Sequence, residues 1–261
     1  MNIVVCIKQV VDTNDIKWTK NNTIDRNGID SIINPCDKVA LEMALKIKDQ
    51  NSDAKITVIT MGPPQSLSAI KEAIGMGADE GYVLSDKKFS GADTVATSKT
   101  LSAGIKKVCP NFSLILCGQY ATDGDTAQTG PSIAQKLNIE QVTYVSYIPK
   151  VSDKSLTVTR NADEFIESVE VPLPALLCVD NPDITPRPIL INGYIKAQDY
   201  DVKILGLDDI ELSVDDVGIK GSPTFVVKAF RATSQRANIV MDGRELQDIL
   251  LLLNEEIALA L

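Results

Sequence analysis

Histidine is absent from this 261-residue chain. No imidazole can serve as a base near neutral pH, complete a nucleophilic triad or ligate a metal. Any redox or group-transfer chemistry must then rest largely on a bound cofactor. The five cysteines, Cys6, Cys36, Cys109, Cys117 and Cys178, include no Cys-x-x-Cys pair. That removes the usual zinc and iron–sulfur spacings within the chain and leaves reduced core thiols, so we expect no metal. No Gly-x-x-x-x-Gly-Lys run is present, which disfavours an ATPase phosphate loop. A surplus of basic residues is missing too: the net charge of −9 argues against nucleic acid or an anionic membrane as partner. The longest apolar run, residues 249–253, is far short of a membrane span. The amino terminus enters a strand pattern without a basic leader, so we expect a soluble cytoplasmic protein.

What is present is most informative over residues 117–131, CGQYATDGDTAQTGP. This run follows the short apolar segment FSLIL at 112–116, which reads as a buried parallel strand, and precedes a helix with Pro131 in its first turn. A loop of small and hydroxyl residues between a strand's carboxyl end and a helix's amino end is where open α/β sheets bind ligands. Exposed N–H groups there favour anions such as phosphate. Asp123 and Asp125 would repel a pyrophosphate, so turn, capping or ribose-hydroxyl roles suit them. Phosphate falls to Thr126, Gln128, Thr129 and backbone N–H groups. The plainer alternative is a solvated connection.

Strand and helix signals alternate through the first two thirds of the chain. Strand-like runs at 3–7, 55–61, 82–84 and 112–116 are interleaved with helical patterns after Asn34-Pro35, around 66–74 and over 93–108. The pair Gly75-Met-Gly77 ends a helix and reads as a C-cap. This order predicts an α/β fold with a doubly wound, mostly parallel sheet. Closely spaced strands at 142–148, 156–160, 165–171 and 175–179 predict an antiparallel extension of the same sheet. From Asn181 onward, Pro182, Pro186 and Pro188 break regular structure, and the rest reads as an arm. It includes a strand-like segment at 225–228 and a final amphipathic helix from about Gly243. That arm either docks on a partner chain or folds back.

Four loops fall at one edge of the inferred sheet: 6–9, 34–37, 61–63 and 118–129. In order and composition they resemble the β subunit of electron-transferring flavoproteins. The resemblance covers nearly the whole chain, including VCIK at 5–8, Asn34-Pro35, MGAD at 76–79 and DGDTAQTG at 123–130. The stretch 160–178 is similar to the family signature, with Arg160, Asp163, Glu164, Glu167, Val169 and Pro174 in place and Phe165 where the pattern expects glycine or an acid.

The resemblance implies an adenine nucleotide α-hydrolase-like domain over 1–190. It implies a partner-recognition loop and a carboxyl-terminal arm over 191–261, docking on an α subunit. It also implies a nucleotide pocket. Cys6, Lys8 and Met61 would come from the loops after the first two strands. Asn34, Pro35, Cys36 and Asp37 would come from the helix start. Gly118, Gln119, Ala121, Thr122, Asp123, Gly124, Asp125, Thr126, Ala127, Gln128 and Thr129 would form the main loop. Ordinary members hold AMP there, whereas electron-bifurcating members hold a second FAD that takes hydride from NADH. The DGDTAQ run and Gly221-Ser-Pro-Thr224 look like the bifurcating group, and Gly124 and Thr126 leave room for a flavin. Gln119-Tyr120 replaces the family's usual Lys-Gln, a missing cation for which Lys8 could substitute.

Electrons would pass to the α-subunit FAD, to a flavin-dependent dehydrogenase acting on an acyl-CoA or a 2-hydroxy acid such as lactate, and to ferredoxin through other subunits. Leu190, Ile191, Tyr194 and Lys196 align with the partner-recognition loop, or else pack inward. We expect no catalytic residue on this chain. A stand-alone ATP-binding regulatory protein of the same fold is the alternative from another class.

Overall fold

The strand β1 (Asn2–Cys6) is apolar on both faces and buried along its last four residues, which demands cover on each side. In the computed structural model, which describes residues 1–11, 17–18, 24–25 and 31–227, that cover is a doubly wound helix arrangement. After β1 come β2 (Gln9–Val11), β3 (Lys17–Trp18), β4 (Ile24–Asp25) and β5 (Ser31–Ile33). These form two small antiparallel pairs, β2 with β5 and β3 with β4. The alternation then runs α1 (Pro35–Gln50), β6 (Lys55–Met61), α2 (Leu67–Met76), β7 (Glu80–Leu84), α3 (Thr94–Val108), β8 (Leu114–Gly118) and α4 (Thr129–Leu137). Next are β9 (Glu140–Val151), β10 (Ser155–Ala162), β11 (Phe165–Pro172), β12 (Ala175–Val179), α5 (Ile191–Asp199) and β13 (Lys203–Leu205).

Nine strands form the main sheet, in the order β11-β10-β9-β12-β8-β1-β6-β7-β13. Alternate residues point to opposite faces, so one strand feeds two cores. Ile3 and Val5 join the α1 and α2 side with Val58, Leu116 and Leu177. Val4 and Cys6 join the α3 and α4 side with Leu101, Ile105, Ile133 and Cys178.

The antiparallel extension is smaller than the sequence predicts. β10 pairs antiparallel with both β9 and β11, but β12 lies parallel between β8 and β9. The physical reason is burial: all five residues of β12 are covered, which suits a central strand flanked by helices. The outer strand β11 is exposed along most of its length. Its hairpin turns at Asp163 and Glu164, with Asp163 at φ 47°, so Phe165 opens the strand in solvent, 71% exposed.

The arm expected after Asn181 also needs correction. The prolines do break the chain, but α5 then packs on α2 and β13 extends the sheet parallel to β7. Arg187 ties the intervening segment to α1. Its backbone N–H, Nε and Nη2 donate to Glu42 at 3.0, 2.9 and 3.1 Å, and Nη2 also donates to Asp49 at 2.7 Å. Among the described residues, 225–227 form no strand. The final helix from Gly243, most of the polar excursion at 13–30 and the rest of the strand-like segment lie outside the described residues.

Candidate functional site

Parallel strands bring their carboxyl ends to one rim, so the loops after β1, β6 and β8 meet the amino end of α1 there. Asn34 is the N-cap of α1 and Pro35 its first residue, a position where the missing N–H costs nothing. The Asn34 side chain caps no N–H of its own helix. Instead its Nδ2 donates to the Tyr120 carbonyl at 2.8 Å, and its Oδ1 accepts from the Thr122 N–H at 3.1 Å. Asp37, one turn on, accepts from the Lys8 N–H and the Gly118 N–H, each at 2.8 Å. Burial pushes the Asp37 carboxyl up to about 7, against the pull of those N–H groups, the Asn34 side chain and the Lys8 charge. Gly118 is required: a β-carbon there would stand 2.5 Å from Asp37 Oδ1 and 2.8 Å from the Asp37 nitrogen.

The main loop turns sharply, with the Gly124 and Asp125 N–H groups both donating to the Ala121 carbonyl at 3.1 and 2.8 Å. Asp125 and Ala127 hold positive φ, 47° and 53°, a conformation that costs a residue with a β-carbon and persists where surroundings demand it. Asp123 pairs with the Lys8 ammonium at 2.5 Å. Both aspartates thus sit in a tight turn, and Asp123 also makes an ion pair. A β-carbon on Gly124 would meet only Lys8 Nζ, at 4.0 Å, so the space beside it is open. Beyond it, no acceptor for the N–H groups of Thr126, Ala127, Gln128 or Thr129 is found among the described residues. Thr126 and Gln128 are exposed.

Other expected residues sit differently. Gln119 is buried, its Oε1 accepting from the Tyr144 N–H at 2.8 Å, where β9 departs from regular pairing and Tyr144 has φ 57°. Cys6 lies in the α3–α4 core, its thiol pushed up by burial. Cys36 is half-buried beside the Tyr120 hydroxyl, and Met61 ends β6. The sequence reading placed the start of α3 at residue 93 but gave it no part in the site. There Asp93 caps Val95 and Ala96, accepts from the Thr224 N–H and hydroxyl at 3.1 and 2.9 Å, and adjoins Thr94, whose hydroxyl donates to Gln128. An Asp-Thr helix start after a strand was the available signal. This network brings Thr224 of the Gly221-Ser-Pro-Thr224 run to the main loop. A cavity of about 480 Å³ lies elsewhere, between α3, α4 and residues 209–216, lined by Lys99, Lys106, Lys107 and Lys136 and by none of the expected site residues.

Leu190, Ile191 and Tyr194 do not pack inward: they are 72%, 79% and 58% exposed on α5 and just before it. Lys196 behaves otherwise, its ammonium donating to the Ala78 carbonyl at 2.9 Å and fastening α5 to the end of α2.

Comparison with known proteins decides the family. The electron transfer flavoprotein domain matches residues 21–205. The caffeyl-CoA reductase-Etf complex subunit CarD of Acetobacterium woodii is 44% identical over 95% of both chains. This chain belongs to the electron transfer flavoprotein family, as a β-type subunit. The electron transfer flavoprotein subunit beta of Clostridium acetobutylicum is 46% identical over 88% of this chain and 87% of its own. The acryloyl-CoA reductase electron transfer subunit gamma of Anaerotignum propionicum is 38% identical over 95% of both.

The family implies association with a flavin or nucleotide, and the donor set at this rim suits an anionic group. Four N–H groups with no acceptor among the described residues stand at and just before the first turn of a nine-residue helix, where the dipole adds positive potential. Threonine hydroxyls flank them. The Lys8 charge is already matched by Asp123, so anion binding rests on N–H groups more than on a cation. Among the described residues, no helix is long and apolar enough to cross a membrane.

Proposed function

We propose that this chain is the nucleotide-holding β subunit of a heterodimeric electron transfer flavoprotein, with FAD in the rim site. The carrying observation is the row of N–H groups over 126–129 that have no acceptor among the described residues. They and the Thr126 and Thr129 hydroxyls would grip the diphosphate. Asp125, exposed in the turn, would face a ribose. When bound, the flavin supplies acceptance of hydride from NADH and release of single electrons toward the α-subunit FAD with its partner dehydrogenase and toward ferredoxin. The chain's own work is to bind, orient and exclude water. It needs no proton relay and no covalent nucleophile, which agrees with a sequence lacking histidine.

Residues 1–190 form the nucleotide-binding part in this reading, and 191–261 the part that docks on the α subunit. Leu190, Ile191 and Tyr194 supply the apolar anchor for a dehydrogenase. Two relatives named as subunits of CoA-ester reductase complexes favour an acyl-CoA dehydrogenase over a 2-hydroxy acid enzyme. Family membership removes the stand-alone ATP-binding alternative.

One observation favours a second reading, with AMP as a structural ligand. The pairing of Lys8 with Asp123 leaves little cationic charge for a pyrophosphate, and a monophosphate demands less. Nucleotide content of the co-purified heterodimer separates the two. Two FAD per heterodimer, with both bleached by anaerobic NADH, is the expected result. One FAD plus one AMP gives the site to the smaller ligand and ends the NADH assignment.

A further inference from the structure

We propose that the Asn34 and Asp37 side chains act on the bound nucleotide by holding the two loops around it. The inference rests on the nucleotide reading above. Asn34 is fully buried and Asp37 nearly so. Their polar atoms are already engaged. Asp37 gives one oxygen to the Lys8 N–H and the other to the Gly118 N–H. Asn34 gives its oxygen to Thr122 and its amide to the Tyr120 carbonyl and to Asp37. An asparagine at a helix start usually accepts from its own helix's second or third N–H. Here that bond is forgone, and the side chain spans to a loop 86 residues away in sequence.

The consequence is geometric. Residues 8 and 118 open the loops after β1 and β8, and Tyr120 and Thr122 lead into the turn that aims the 126–129 N–H groups. One helical turn thus fixes the spacing of both loops. Lys8 extends the device, since its backbone is held by Asp37 while its ammonium holds Asp123. Prepaid ordering of this kind raises affinity without adding a ligand contact.

A pH signature follows. The charged and titratable groups around Asp37 are Lys8 from the loop after β1, Cys6 on β1, Cys36 beside it on α1 and Cys117 on β8. Burial holds up the Cys6 and Cys36 thiols, and the hydrogen bond with Cys178, then burial, holds up Cys117, so all three stay neutral. Lys8 is paired with Asp123. Asp37 is therefore the group that changes charge near neutrality. Its protonation turns one acceptor into an O–H facing an N–H, and one loop loses its anchor. Nucleotide retention should weaken as pH falls through about 7.

The test uses the complete heterodimer stripped of nucleotide, carrying Asp37→Asn or, separately, Asn34→Ala. Three quantities are read: hydrogen exchange of the amides at 8, 118 and 122, affinity for AMP and for FAD from pH 5.5 to 8.5, and the apo melting temperature. Asp37→Asn should speed exchange at 8 and 118 and weaken nucleotide binding about tenfold at pH 8, the value of one hydrogen bond. It should also flatten the wild-type loss of affinity below pH 7. Asn34→Ala should act on the amide at 122 with the same loss of affinity and the pH slope intact, which keeps the test open if Asp37→Asn fails to fold. Wild-type exchange, or wild-type affinity and slope, in both variants overturns the clamp while leaving the nucleotide reading standing. A wild-type complex that binds neither AMP nor FAD overturns both.

Discussion

Replacing Arg187 by methionine should cost the fold about 3 kcal/mol, because it strands a buried carboxylate. Glu42 sits on the core side of α1 with its side chain 5% exposed, and its oxygens receive three donors from Arg187 alone. Methionine keeps the stem and the backbone N–H but removes the guanidinium. Breaking a buried pair from one side costs about 3–5 kcal/mol. The Arg187 side chain is 30% exposed, so water can reach the vacated position and the lower figure applies. In a chain of this size that is a fall of roughly 6–12 °C in melting temperature. The matching change, Glu42→Gln, leaves a neutral acceptor and should cost less, about 1–2 kcal/mol. Replacing both residues by apolar ones of similar volume should recover most of the loss. Denaturant unfolding of the four proteins gives the coupling directly. If Arg187→Met lies within about 0.5 kcal/mol of the wild type, the assignment of a desolvated pair is wrong. The same variant carries a functional readout, because Arg187 fixes the chain that leads from β12 to α5. Electron delivery to a partner dehydrogenase should show a raised KM for the partner.

Gly118→Ala should abolish nucleotide retention and cost about 1–3 kcal/mol, as its β-carbon would collide with Asp37; full nucleotide content in the variant would refute the close approach. Gln119→Leu removes the acceptor for the Tyr144 N–H and should cost about 1–3 kcal/mol by thermal melt, with an unchanged melt refuting that role. Leu190→Ala with Tyr194→Ala should leave stability within about 0.5 kcal/mol, since both are exposed, yet slow reduction of the partner; unchanged partner kinetics would remove α5 from the docking surface. For Asp37 the sign runs opposite to an ordinary carboxylate. The folded group keeps its proton to about 7, whereas the unfolded one releases it near 3.8, so the folded state binds more protons between those values. Its stabilising contribution is complete below pH 4 and is lost as pH rises through 7, on the order of 4 kcal/mol in all. Unfolding titrations of wild type and Asp37→Asn at pH 5, 6, 7 and 8 should diverge accordingly, and a constant difference would refute the shift.

Local patterning already determined the alternation of strands and helices, the starts of α1 and α3, the glycine end of α2 and the position of the main loop at a strand's carboxyl end. Those features depend on periodicity, capping and turn chemistry, which act within a few residues. The absence of histidine settled in advance that no imidazole could act as base, triad member or metal ligand. Long-range pairing decided the rest. β12 reads like its antiparallel neighbours in sequence, and only its insertion between β8 and β9 makes it parallel and central. α5 follows three prolines that locally argue against it, and its packing on α2 outweighs them. Lys8 could stand in for the missing cation by sequence, but folding sets Asp123 against it, and Asn34 caps α1 by position while the loop at 120–122 takes its side chain. Charge and hydrogen-bond partners 80 to 120 residues apart are brought together by the sheet order, and no local window of sequence contains that order.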